Sequence, residues 1–172
     1  MDFAIQNMTA GQLNAVIKRL GGEEGAKRFL RGEAEVVVVK HIIDCDADPF
    51  VPDGWKVEEH KKGSKFEWSQ TKVKLHLDEA QVKGSIEVNK LREKLASDSV
   101  LNANVLDYLL KNPHLIPEEW KGKYIFFWGT VYRDSGGGLC VRCLYWFDRQ
   151  WYWDSYWLDY GWRSYDPALL AS

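Results

Sequence analysis

Tyr124-Ile125-Phe126-Phe127-Trp128-Gly129-Thr130-Val131-Tyr132, Leu139-Cys140-Val141-Arg142-Cys143-Leu144-Tyr145-Trp146-Phe147 and Trp151-Tyr152-Trp153-Asp154-Ser155-Tyr156-Trp157-Leu158 are three ring-rich runs. They are separated by Asp134-Ser135-Gly136-Gly137-Gly138 and Asp148-Arg149-Gln150. Aromatic and β-branched runs bounded by Asp and Gly clusters predict antiparallel strands joined by hairpins. The stretch therefore predicts a three-stranded meander over 123–132, 139–147 and 151–158. From Trp120 to Tyr165 the chain carries seven Trp, seven Tyr and three Phe. A core does not need that many rings, so some of them are expected to face a ligand, a partner or the rest of the chain.

Hairpin register decides which rings share a face. If Tyr132 opposes Leu139 and Phe147 opposes Trp151, one face carries Tyr124, Phe126, Trp128, Tyr132, Tyr145, Phe147, Trp151, Trp153 and Trp157. The other then carries Ile125, Phe127, Val131, Leu144 and Leu158, with Arg142 and Asp154 among them and placed to pair. A slip of one residue exchanges the two faces, so the assignment depends on the turns.

Upstream, Thr9 and Gln12 fit a capping box, and Leu13, Val16, Ile17 and Leu20 recur at helical spacing. Gly21-Gly22 stops that helix. Glu23 and Glu24 open a second, which Arg31-Gly32 closes. Val36 to Val39 with Ile42-Ile43 reads as a short buried strand, and residues 55–62 as another. From Lys72, Val73, Leu75 and Leu77 alternate with Lys72, Lys74 and His76, which predicts a half-exposed antiparallel strand. Residues 86–95 place Val88, Leu91 and Leu95 on one helical face. A further helix runs from Asn102 to Lys111, with Val105, Leu106, Leu109 and Leu110 as its apolar stripe and Asn112-Pro113 as its stop. The expected fold is α+β: a helical hairpin over 1–32, then a mixed domain over 33–172 whose helices cover the Trp-rich antiparallel meander.

Length and composition suit one soluble domain, or one domain plus an appendage: 172 residues, 45% hydrophobic and 28% charged. A formal net charge of -2 gives no general attraction to nucleic acid or anionic lipid. The start, Met1-Asp2-Phe3-Ala4-Ile5-Gln6, has neither a basic region nor an apolar core of an export signal, and no run approaches a membrane span of about 18 apolar residues. Cys45, Cys140 and Cys143 are an odd count, read as free thiols. These features lead to an expected cytoplasmic location, with no membrane association.

Leu101-Asn102-Ala103-Asn104-Val105-Leu106-Asp107-Tyr108-Leu109-Leu110 and Ile116-Pro117-Glu118-Glu119-Trp120-Lys121-Gly122-Lys123 carry a resemblance, as do His41-Ile42-Ile43-Asp44-Cys45-Asp46 and Pro52-Asp53-Gly54-Trp55. Over nearly its whole length the chain resembles a family of small uncharacterised bacterial proteins, often met in metagenome-derived genomes of candidate phyla. Leu13 to Glu33 looks like a module that precedes other uncharacterised domains as well. The resemblance implies a bacterial intracellular setting and a boundary near residue 32. It implies no activity, cofactor or catalytic residue.

Several constellations bear on function, each beside a structural reading. Rings next to Asp, Arg and Ser build recognition surfaces, and they also build cores. The contact set expected for a partner protein is Trp128, Tyr145, Trp151, Trp153 and Trp157, with Arg142 and Asp154. Asp44, Asp46 and Asp48 alternate near His41, which suits a hard divalent ion or simply a capped turn. They lack the glycine and glutamate that a calcium loop of EF-hand type requires. Cys140 and Cys143 are three apart on a strand, so they point to opposite faces and cannot share a metal or a disulfide. No nucleophile elbow or phosphate loop is present, since Gly136-Gly137-Gly138 sits in a hairpin turn. Lys27, Arg28 and Arg31 lie after two turn glycines, where a helix-turn-helix contact to phosphates is compatible, as is a docking hairpin. The leading expectation is a non-enzymatic binding protein that uses an aromatic sheet face and no cofactor. The alternatives are nucleic-acid binding through the basic helix pair and a small metal-dependent hydrolase at the acidic loop.

Overall fold

A computed structural model describes residues 8–172 of the chain. Residues 1–7, read above for an export signal, lie outside the described residues. The chain divides into two compact units, with the division between Val39 and Lys40.

Among the described residues the first unit holds two helices, α1 (Ala10–Arg19) and α2 (Gly22–Leu30). The capping box at Thr9 and Gln12 is formed: the Gln12 amide donates to Thr9 Oγ1 at 3.2 Å and the Thr9 amide to Gln12 Oε1 at 2.8 Å. Gly21 turns the chain between the helices with φ of 93°, a conformation that costs glycine little. Neither helix has a buried residue, and Leu13 and Val16 of the expected apolar face remain exposed. Val36 to Val39 is not a strand, and all four valines are exposed. A β-branched run has strand propensity, but a strand exists only where a neighbour satisfies its backbone.

The second unit is α+β. Its strands are β1 (His41–Asp44), β2 (Lys56–His60), β3 (Lys65–Trp68), β4 (Val73–His76), β5 (Ile125–Arg133), β6 (Leu139–Phe147), β7 (Gln150–Trp157) and β8 (Ala168–Ala171). Its helices are α3 (Glu79–Lys83), α4 (Val88–Leu95) and α5 (Ala103–Lys111). β1 and β3 form a two-stranded sheet. The main sheet has the order β4-β8-β5-β6-β7, and β2 joins it by pairing with β5. β5 thus serves two neighbours in turn: β8 in parallel at Phe126, and β2 antiparallel from Thr130 to Arg133. The break lies between Phe126 and Val131, where the β5–β6 register shifts. Gly129 sits in that break because the chain at Asn102 comes so close that an added Cβ would stand 2.8 Å from the Asn102 amide nitrogen.

The meander is present, but its register differs from the expected one. Asp148 and Arg149 form a two-residue turn with φ of 42° and 64°, so Phe147 opposes Gln150 rather than Trp151. Positive φ at both positions has the twist that a tight hairpin needs. The first hairpin is offset too, with Arg133 opposite Leu139. The faces therefore re-sort. Trp151, Trp153 and Trp157 share a face with Leu144, Arg142 and Cys140, which they or Ser155 oppose. Tyr145, Tyr156 and Asp154 lie on the other face, with Val141 and Cys143. Arg142 and Asp154 are on opposite sides of the sheet, so the expected pair does not form.

Each face has its own helix. Val105, Leu106 and Leu109 of α5 pack with Ile125, Phe127, Leu144 and Leu169. Val88, Leu91 and Leu95 of α4 pack with Phe126, Trp128, Val131, Val141, Cys143 and Trp162. Leu106 and Leu109 are fully buried, and each such side chain contributes about 1.5–3 kcal/mol. Asn102 caps α5, its side chain accepting from the Asn104 amide at 3.2 Å. Among the described residues no helix is long and apolar enough to cross a membrane.

Candidate functional site

The α5 face is incompletely covered. Beyond the helix, the loop from Asp44 to Phe50 folds over β6 and β7, and between loop and helix lies a cleft of about 520 Å3. Two asparagines fix the loop. Asn104 donates from Nδ2 to the carbonyls of Asp44 at 2.9 Å and Ala47 at 2.8 Å. Asn102 donates from Nδ2 to the carbonyls of Cys45 at 2.8 Å and Lys61 at 3.0 Å. Both sit in the cap and first turn of α5, so loop position and helix position are set together.

Arg142 lines the cleft, and its side chain is 1% exposed. A buried guanidinium needs a partner, because removal from water costs several kcal/mol. The partner is Asp107 on α5, in a two-pronged pair of 2.7 and 3.2 Å. Trp153 covers the guanidinium at 4.3 Å from its ring centroid, and Phe50 does so at 5.3 Å. The two rings meet edge to face at 6.3 Å. Arg142 Nε is buried without a hydrogen-bond partner among the described residues.

The expected contact residues separate. Trp128 is in the core, 6% exposed and tilted on Trp162 at 4.8 Å. Trp151 is half-buried, packed edge to face on Trp146 at 5.2 Å. Tyr145 is half-buried on the opposite face and stacks on Tyr124 at 5.5 Å. Trp153 and Trp157 stay 36% and 43% exposed on one face of β7, the outer strand of the sheet. Trp157 Nε1 donates to Asp134 Oδ2 at 2.6 Å, which holds the indole over the first hairpin turn. Asp154 is exposed, and its Oδ1 accepts from the Ser155 amide at 2.7 Å.

The acidic loop behaves as turn chemistry. Asp44 Oδ1 accepts from the Asp46 amide at 3.0 Å, and Asp46 Oδ1 from the Ser64 amide at 2.9 Å. Asp48 lines the cleft. His41 Nδ1 is 2.9 Å from the Tyr108 hydroxyl. Among the described residues no group of three or more His, Cys, Asp or Glu is arranged to hold a metal ion. In the helix pair, Lys27 is paired with Glu23 at 2.8 Å and Glu24 at 3.2 Å, and Arg31 with Glu33 at 2.6 Å. Arg28 is exposed. A phosphate contact through Lys27 or Arg31 would first have to break these pairs.

The three cysteines are buried free thiols. Burial pushes Cys45 up to about 11 and Cys140 up to about 12, and Cys143 higher still. Nearby Asp46 and Asp44 reinforce the effect at Cys45, as Asp134 does at Cys140 and Asp154 at Cys143. Thiolate nucleophiles are thereby disfavoured at neutral pH. Cys140 and Cys143 belong to separate buried clusters, as strand geometry requires of residues three apart.

Phe50, Asn104 and Asp107 were not singled out from the sequence. A signal was available for Asp107: it is the one carboxylate within the apolar run Val105 to Leu110, as Arg142 is the one charge within Leu139 to Phe147. Single opposite charges inside two apolar elements suggest a mutual pair. Comparison with known protein families, with curated proteins and with solved structures finds no match to this chain.

Proposed function

We propose that the chain is a non-enzymatic binding protein that recognises a partner protein through the outer ring surface of β7. One observation carries this reading: Trp153 and Trp157 stay exposed on one side of an edge strand, with Phe50, 55% exposed, against Trp153. Indole rings are large, rigid and amphipathic, so they bury much area on contact at small entropic cost. They dominate the energetic centres of protein interfaces for that reason. The neighbouring hydrogen bond from Trp157 to Asp134 and the cover that Trp153 gives Arg142 hold both rings in place before contact. Preorganisation of this kind lowers the ordering cost of association.

Site-specific photo-crosslinking tests the reading. A photoreactive residue replacing Trp157 is expected to give a discrete crosslinked species in cells of the source organism. One replacing Val82, which is 64% exposed on α3, is expected not to give it. Identical products from both positions, or none from Trp157, contradict the proposal.

A further inference from the structure

The cleft beneath the loop from Asp44 to Phe50 has a chemistry of its own. Its Arg142–Asp107 pair is lopsided: the guanidinium side chain is 1% exposed and the carboxylate side chain 21%. A ligand entering the cleft therefore meets the carboxylate edge of the pair. Asp44 and Asp48 add two exposed carboxylates from the loop. Lys111 is the exposed cation of the lining, and it stands in the last turn of α5, where the helix carbonyls carry partial negative charge. Ile42 and Leu110 supply aliphatic wall, and Trp153 an indole.

An anionic ligand would face three carboxylates to reach one screened lysine and a guanidinium already neutralised by Asp107. A cationic head on an aliphatic stem suits the three carboxylates and the apolar wall, and Lys111 at the end of α5 is the one exposed like charge it meets. The stem packs on Ile42, Leu110 and the Trp153 ring, and the head meets Asp44, Asp48 and the open edge of Asp107.

We propose that this cleft binds a lysine or arginine side chain presented by the partner protein. The inference rests on the reading of the β7 ring surface as the partner-binding face, and it names the residue type that the surface reads. A single side chain in an open cleft binds weakly, with a dissociation constant of roughly millimolar order.

The test is an NMR titration of the full chain with N-acetyl-argininamide and N-acetyl-lysinamide. Controls are N-acetyl-norleucinamide, which keeps the stem and lacks the charge, and N-acetyl-glutamic acid amide, which reverses it. The cationic probes are expected to shift the Trp153 indole N–H and the Asn104 side-chain amide saturably. The norleucine analogue should bind about tenfold more weakly or worse, and the Asp44→Asn/Asp48→Asn variant should lose about tenfold in affinity for the cationic probes. Asparagine keeps the Asp44 acceptor for the Asp46 amide, so the variant is expected to retain the wild-type spectrum elsewhere. Equal binding of the norleucine analogue, equal or tighter binding of the glutamic acid analogue, or no localised shift with any probe overturns the inference. Trp157 lies outside the cleft lining. Loss of the crosslinked partner at Trp157 therefore reports on the ring surface alone, and the two readings fail separately.

Discussion

Below α4 the sheet buries Phe126 at 0% exposure and Trp128 at 6%, with Trp162 at 0% packed against them, while Tyr145 further along the same face is half-buried and Phe147 at the end of β6 is exposed. On the opposite face α5 covers Ile125, Phe127 and Leu144, and then the cover gives way to a loop, a buried ion pair and a cleft. Trp153 and Trp157 stand at that margin, more than a third exposed. Two faces of one sheet, both carrying rings, thus use them differently. The first is packing: Trp162 lies edge to face on Phe126 at 4.1 Å and tilted on Trp128 at 4.8 Å. The second is a preformed surface with charge beneath it. Aromatic abundance alone does not separate these uses; the coverage of each ring does.

The sharpest way to break this comparison is to remove one ring from the packed face. Trp162→Ala is expected to cost about 3–5 kcal/mol, read as a lower urea midpoint. The ion pair on the other face should come next. Arg142→Met alone leaves the Asp107 carboxylate without its partner and is expected to cost about 3 kcal/mol, whereas adding Asp107→Leu should restore most of that loss. If the double variant is no better than the single, the pair holds the cleft by more than its own charges.

The thiols give a smaller effect that depends on pH. Their folded values are raised, so below the unfolded cysteine value of about 8.5 neither state ionises them. Above it the unfolded chain loses protons that the folded chain keeps, and stability falls as pH rises from about 8.5 toward the raised values. Urea midpoints across pH 8–10 should decline, and a Cys140→Ala/Cys143→Ala variant should decline less steeply. The smallest stability change belongs to the exposed margin: Trp157→Ala is expected to cost at most about 1 kcal/mol, because the indole keeps much of its water contact.

Much of the second unit is legible in the sequence where the information is local. The helix expected from Asn102 to Lys111, ended at Asn112-Pro113, is α5 with Asn102 as its cap, and Val105, Leu106 and Leu109 of its stripe are buried while Leu110 is only partly so. Val88, Leu91 and Leu95 define the buried side of α4. The meander shows in its alternation and its Gly and Asp turns. What was not legible is non-local or hinges on a single turn. Asp148 and Arg149 adopt positive φ without a glycine to announce it, and that one turn decides which face Trp151, Trp153 and Trp157 occupy. β8 spans Ala168–Ala171, too short to be seen without knowing that β4 and β5 flank it. β3, at Lys65–Trp68, exists through its pairing with β1. Val36 to Val39 shows the converse, strong β propensity with no strand formed. The site was half legible: Arg142, Trp153 and Asp48 were named, but the cleft needs Phe50 and Asp107 brought in from loop and helix.

The most direct test of the contrast between the two faces is partner binding by the Trp153→Ala/Trp157→Ala protein. The partner is the one crosslinked from Trp157, and the wild-type chain is the reference. The account predicts a folded protein, with a urea midpoint far nearer wild type than that of Trp162→Ala, that has lost at least about tenfold in affinity. Undiminished binding, or a loss of stability equal to that of Trp162→Ala, contradicts it.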